Sequence, residues 1–242
     1  MSILRPLIIL ANGDNAELGA GFADFSTRVF ESDFSGNLDS FFGTFNSGAG
    51  SSTQVNVNAI QDSYGVLLLN TGTTATGTAG IHTGAAMTLL GGVSTHIISG
   101  KFRVPVLSTA AQRHTFRAGL GNNVTVGADP TDGIYIRLVD NLNTGRIQLV
   151  CRRASAEAVF NSTTTILANT WYQFAIVINP ALTSAALYVV SGTGSLILEG
   201  SVITAANFPL TSTVLGWFTH VQKSIGTTTS QLQLDKVAYD LN

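Results

Sequence analysis

The sequence predicts an all-β protein, an antiparallel β-sandwich of jelly-roll type with an extended N-terminal arm. Three observations carry this. Apolar and polar residues alternate with period two in segment after segment, helical periodicity is nearly absent, and turn-forming residues recur at short intervals. The 242 residues suit one large all-β domain or two small ones, and a chain of this size buries roughly 70–75% of its unfolded surface.

Taken in order, the chain opens on MSILRPLIILANGD, whose apolar run Ile3–Ala11 is strand-sized. Pro6 interrupts the run and Asn12-Gly13-Asp14 follows it where a signal peptide would have a small-residue cleavage site, so it reads as an arm or first strand. Next comes FADFSTRVFESDFSGNLDSFFGTF, with seven phenylalanines. So aromatic a segment is expected to pack on the sandwich or on neighbouring subunits. This divides the chain into an arm and Phe/Gly-rich segment over 1–60 and the sandwich over 61–242.

Within the sandwich, YGVLLLN reads as a strand, and TGTTATGTAGIHTG continues it as a long β-excursion toward MTLL. The stretch GKFRVPVLSTAAQRHTFRAGLGNN reads as two strands joined by a loop. In THIISGKFRV, Ile98, Phe102 and Val104 share one face while Lys101 and Arg103 take the other. GIYIRLVD sets Ile134, Ile136 and Leu138 against Tyr135 and Arg137, and RIQLVCRR groups Ile147, Leu149 and Cys151. WYQFAIVIN is apolar on both faces, as a central covered strand should be. SAALYVV, SLILEG, STVLGWFTHVQ and QLQLDKVAYDL complete the set, punctuated by Asp129-Pro-Thr-Asp-Gly, Asn143-Thr-Gly, Asn179-Pro and Ser191-Gly-Thr-Gly.

Composition narrows function. Only 11% of residues are charged, against about a quarter in an ordinary soluble domain, and mean hydropathy is +0.30. No apolar run approaches the ~20 residues of a membrane span. The expectation is therefore surface covered by other protein chains: an oligomer or assembly subunit without a membrane partner. A net charge of −2 does not point to nucleic acid. The single cysteine, Cys151, alternates with strand neighbours and is expected to be structural.

Catalytic signatures are missing. Glycoside cleavage needs two carboxylates about 5–9.5 Å apart, yet Glu17, Glu31, Glu157 and Glu199 are isolated in sequence. Asp129 and Asp132 fall in a PTDG turn, with Ca²⁺ binding beside Asn122 or Asn123 as the lesser alternative. His82, His96, His114 and His220 show no metal-ligand spacing. There is no G-x-S-x-G elbow, P-loop or G-x-G-x-x-G. No catalytic residue, metal or cofactor is expected. Trp171 and Trp217 sit in apolar runs and are expected in the core.

By strand parity Lys101 and Arg103 share one face, and Arg113 and Arg117 share one face of the next strand. If those strands are neighbours, the four form one cationic patch. It reads first as solvated or contact surface, and otherwise as a docking site for an acidic partner or an anionic glycan.

The succession VLLLNTGTTATGTAGIHT, FRVPVLSTAAQRHTFRAGLGNN, DPTDGIYIRL, WYQFAIVINPALTSAALYVV and QKSIGTTTSQLQLDKVAYDL resembles a group of bacteriophage virion structural proteins of the capsid-decoration or tail-fibre type. These are built on concanavalin A-like, or laminin G-like, jelly-roll domains. The similarity covers roughly Gly65 to Asp240, and the order of the motifs carries it. The resemblance implies a non-enzymatic protein of the phage particle, assembled in the host cytoplasm. Its implied partners are copies of itself and other virion proteins, the major capsid protein among them. The chain departs from legume-type lectins in lacking a recognisable acidic metal site, so no sugar-binding residue is carried over. It also lacks a repetitive stalk, which favours capsid decoration. The alternative is a tail-fibre or receptor-binding module for a bacterial surface polysaccharide, using Arg103, Arg113, Arg117 and a tryptophan. A third reading is a polysaccharide lyase or hydrolase on the same fold, the lyase using His114 with Tyr135.

Overall fold

The computed structural model describes residues 27–35, 37–56, 65–92, 94–124, 127–139, 145–192, 195–203 and 205–242. They form two antiparallel sheets, with strands numbered in chain order. The first contains β1 (Thr27–Ser32), β3 (Ser51–Asn56), β4 (Val66–Thr71), β6 (His96–Arg103), β11 (Trp171–Ile178), β12 (Ser184–Ser191), β13 (Ile197–Ile203) and β15 (Gln231–Leu241). The second contains β2 (Gly43–Ser47), β5 (Thr78–His82), β7 (Arg113–Gly121), β8 (Gly133–Val139), β9 (Arg146–Arg153), β10 (Ala156–Thr165) and β14 (Gly216–Ile225). The eight-stranded sheet runs β13-β12-β11-β6-β15-β4-β3, with β1 also paired to β15. The seven-stranded sheet runs β10-β9-β8-β7-β14-β5-β2.

Period-two patterning sets which face meets the core. In β7 the inner residues are Phe116, Ala118 and Leu120, and in β8 they are Ile134, Ile136 and Leu138. From the other sheet come Ile98, Phe102, Tyr172, Phe174, Ile176 and Ile178. Full burial of each large side chain contributes about 1.5–3 kcal/mol. The strand over WYQFAIVIN is central as predicted, lying between β6 and β12. Cys151 is fully buried, and burial pushes its thiol up to about 12. Trp217 is core, while Trp171 lies partly exposed at the start of β11, a departure from the expectation that both would be internal. Its parity sets it opposite Tyr172, which takes the inner side.

The described part of the 1–60 segment belongs to the sandwich: β1 pairs with β15, β2 with β5 and β3 with β4. Its phenylalanines seal one end. Phe30 lies 5.9 Å from the Trp217 ring and Phe42 lies 5.6 Å from it, with Phe34 and Phe42 buried. The apolar run Ile3–Ala11 lies outside the described residues. At the opposite flank Glu199 of β13 accepts from Thr163 N (2.7 Å), Thr163 Oγ1 (2.6 Å) and Thr164 of β10, tying the sheet edges together. Among the described residues no helix is long and apolar enough to cross a membrane.

Candidate functional site

Polar chemistry concentrates on the outer face of the seven-stranded sheet. Alternation turns Arg117, Tyr135, Arg137, Gln148, Arg152, His220 and Gln222 outward because their neighbours point into the core. Register then fixes who meets whom: Arg117 sits opposite His220 on one side and Arg137 on the other, and Arg137 sits opposite Gln148. Two arginines directly opposite on adjacent strands repel. An anion between them is needed, and Asp129 provides it.

Asp129 comes from the β7–β8 connection, whose base is closed by Asn122 N to Asp132 O (3.0 Å) and Asp132 N to Asn122 Oδ1 (3.1 Å). Val124 of the same connection packs with Tyr135, Val150 and Phe218, anchoring it on the sheet. Asp129 Oδ1 accepts from Arg117 Nε (2.6 Å) and the Tyr135 hydroxyl (3.0 Å), and Oδ2 accepts from Arg137 Nη1 (3.0 Å). Arg152 Nη1 stands 3.5 Å from Oδ2. Arg137 also grips Glu157 of β10 through both terminal nitrogens at 3.1 Å and gives its Nε to Gln148 at 3.0 Å. Burial raises the proton affinity of Asp129, but the charge and hydrogen bond of Arg117, with Arg137 and Tyr135, outweigh it and hold the carboxyl below its usual range. His220 is fully buried with Nε2 3.0 Å from Arg117 Nη1, and its Nδ1 has no hydrogen-bond partner. Burial first, then the Arg117 charge, keeps it neutral well below its ordinary value.

Chemically this is a charge-neutralising network, in which arginines hold Asp129 and Glu157 and Arg117 meets His220 Nε2. Asp132 is occupied separately: Oδ1 accepts from Ala154 N (3.1 Å) and Oδ2 from Asn122 Nδ2 (3.1 Å). The two aspartates of the Asp129-Pro-Thr-Asp-Gly turn thus serve different partners, and arginines occupy the position a cation would need at Asp129. Among the described residues no group of three or more His, Cys, Asp or Glu is arranged to hold a metal ion.

The four basic residues singled out from sequence do not form one patch. Strand β6 pairs with β11 and β15, and β7 pairs with β8 and β14, so Lys101 and Arg103 belong to a different sheet from Arg113 and Arg117. The β6–β7 connection crosses between sheets, which strand parity cannot reveal. Arg117 enters the network above, whereas Arg113 starts β7 opposite Ile225 with its Nε buried and unpartnered. Lys101 and Arg103 meet Trp171 instead, with Lys101 Nζ 5.2 Å and Arg103 Cζ 4.9 Å from the ring centre. Lys101 pairs with Asp235 at 2.6 Å, and Arg103 donates through Nε (2.7 Å) and Nη2 to Gln233 Oε1. His114 and Tyr135 are also separated: His114 shares the inner parity of Phe116 and bonds Ser108 Oγ through Nδ1 at 2.9 Å, while Tyr135 faces outward. Sequence reasoning missed Arg137, Arg152, Glu157 and His220 as a group. The available signal was the outward parity of Arg137 beside Tyr135, but their partners lie on other strands.

A family model described as SO2946-like, C-terminal domain matches residues 62–235. The chain belongs to this family. Among solved structures, the SO2946-like fold seen here is similar to that of SO2946 from Shewanella oneidensis MR-1, a protein of unknown function. The TM-score is 0.61 at 16% identity, over 89% of this chain and 84% of that one. Peanut lectin matches with a TM-score of 0.60 at 9% identity, over 90% of this chain and 97% of the lectin. A carbohydrate esterase from the Shiga toxin-encoding bacteriophage phi24B matches with a TM-score of 0.50 at 14% identity, over 90% and 99%. At such identities these likenesses show the fold alone, a concanavalin A-like sandwich shared by lectins and enzymes. A search of curated protein sequences finds no match.

Proposed function

We propose that this SO2946-like chain is a non-enzymatic structural subunit of a bacteriophage particle, decorating or cementing the capsid through protein–protein contacts. The observation that carries the non-enzymatic part is the Asp129 network, in which Arg117, Arg137 and Tyr135 hold the site's central carboxylate ionised. A general acid has to keep its proton near working pH. The resemblance to virion proteins and the low charge support the particle role. An open depression of about 410 Å³ supports contact with a neighbouring chain: Val29, Phe30, Phe41, Ala86 and Met87 line it together with Glu31 and Thr83, and Val29 and Phe41 are exposed.

Quantitative mass spectrometry of purified particles tests this. The expected result is this chain at a copy number on the scale of the major capsid protein; its absence from particles would overturn the reading. A second reading, recognition of a bacterial surface polysaccharide by a tail-fibre module, is favoured by one observation, the grouping of Trp171, Lys101 and Arg103 on one face. A copy number restricted to a few per particle would move the assignment there.

A further inference from the structure

We propose that the outer face of the eight-stranded sheet carries a saccharide site centred on Arg103 and Trp171, taking a sugar residue that bears a carboxylate. This deepens the glycan-recognition reading and rests on it.

Arg103 is only 9% exposed, and its hydrogen bonds go to the neutral amide oxygen of Gln233. Among the described residues no carboxylate pairs with it; the nearby Asp235 is taken by Lys101. A guanidinium largely withdrawn from water and satisfied by a single amide oxygen retains donors and full charge for an anion. With Lys101 and Asp235 cancelling, this face keeps one net positive charge beside an indole. Trp171 stands directly opposite Arg103 across the β11–β6 ladder and holds the guanidinium against its ring. A carboxylate is the matching group because the planar fork of arginine donates to its two oxygens side by side.

Two observations favour a sugar over an acidic peptide. First, β6 is hydrogen-bonded on both sides, to β11 and β15, so no backbone donors or acceptors are open to an added strand. Second, the flanking side chains are primary amides, Gln173 opposite Lys101 and Gln233 opposite Arg103. Gln173 gives its Nε2 to Gly192 O at 2.9 Å. An aromatic ring, a guanidinium and two amides supply contacts to hydroxyls and a carboxylate together. Trp171, Gln173 and Lys101 are partly exposed and form the entrance.

The test is titration with trigalacturonate, followed by tryptophan fluorescence. Trp171 reports the site directly, because both cations lie over its ring, and Trp217 is fully buried and supplies a constant background. The methyl ester of the same trisaccharide is the neutral control and hexaglutamate is the acidic-peptide control. Arg103→Gln, with Lys101→Met as a second variant, is checked for unchanged thermal unfolding. The expected result is saturable binding of trigalacturonate that weakens about tenfold in Arg103→Gln and declines with added salt, with the ester and hexaglutamate clearly weaker. Equal binding of the ester or of hexaglutamate would overturn the proposal. Binding undiminished in both variants would overturn this site while leaving glycan recognition standing. No binding of either saccharide would sink both.

Discussion

Asp129 and Glu157 share one nitrogen: Arg137 Nη1 lies 3.0 Å from Asp129 Oδ2 and 3.1 Å from Glu157 Oε2. Those two oxygens are therefore no farther apart than about 6 Å, inside the separation that glycosidases use for their paired acids. The spacing does not bring the chemistry. A cleaving pair needs one carboxyl that keeps its proton, whereas Arg117, Arg137 and Arg152 surround Asp129 and favour its ionised form. The same geometry that could suggest an active site reads, once charge is counted, as the clasp that fastens the β7–β8 connection to the sheet.

Replacing Asp129 with Asn should therefore destabilise the fold, since it leaves arginines facing one another. Loss of a partner from a buried ion pair costs about 3–5 kcal/mol, and the partial exposure of Asp129 lowers the expectation to about 2 kcal/mol. Denaturant unfolding measures it; a loss indistinguishable from zero would contradict the clasp. The acid limb should change as well. Asp129 ionises more readily folded than unfolded, so its contribution is complete above the ordinary 3.8 and lost as pH falls below it. The variant should lack that part of the acid-induced loss.

His220 predicts a second pH dependence, at milder acidity. The folded protein keeps the ring neutral, while the unfolded chain takes up a proton below 6.5. Stability should fall as pH drops from there toward the depressed folded value. His82 and His96, both lowered by burial, act in the same direction. His220→Gln should flatten part of this slope in pH-dependent thermal unfolding. A wild-type protein that grows more stable between neutrality and mild acid would contradict the assignment.

Gly119 should tolerate no side chain. Its φ of +152° is open mainly to glycine, and an added Cβ would lie 2.5 Å from Ile134 O and 2.6 Å from Tyr135 Cα. Gly119→Ala should cost about 3 kcal/mol or more, because the obstruction is main chain and lies between Tyr135 and Phe218 beneath the Asp129 connection. A loss below about 1 kcal/mol by denaturant unfolding would show that the sheet yields there.

Cys151 should resist thiol reagents in the native state. It is fully buried on β9, and burial pushes its thiol up to about 12. Labelling should follow global unfolding. Rapid modification of folded protein at mildly alkaline pH would contradict the packing described.

The strands were legible because each buries one face, and the parity of Ile98, Phe102, Ile134 and Leu149 could be read residue by residue. Strand β10 was not. Its AEAVFNSTTT has little apolar alternation, because an edge strand need bury little. The pairing of β6 with β11 was equally hidden, since a crossover between sheets leaves no local trace, and so Lys101 and Arg103 parted from Arg113 and Arg117. Trp171 looked internal because its run is apolar, yet parity set Tyr172 inward and Trp171 outward. The Asp129 network was least legible of all. Its members come from five strands and a loop, and the register that joins Arg117, Asp129 and Tyr135 to Arg137, Arg152, Glu157 and His220 leaves no mark in any one segment.

Whether the acidic centre of the seven-stranded face is structural can be read from the carboxyl titration of Asp129, followed by carbon-detected NMR of the side chain. The midpoint is expected below the ordinary 3.8, moving upward in Arg117→Gln. A midpoint raised above the ordinary carboxylate range in the wild-type protein would contradict a structural role and return this face to consideration as a catalytic site.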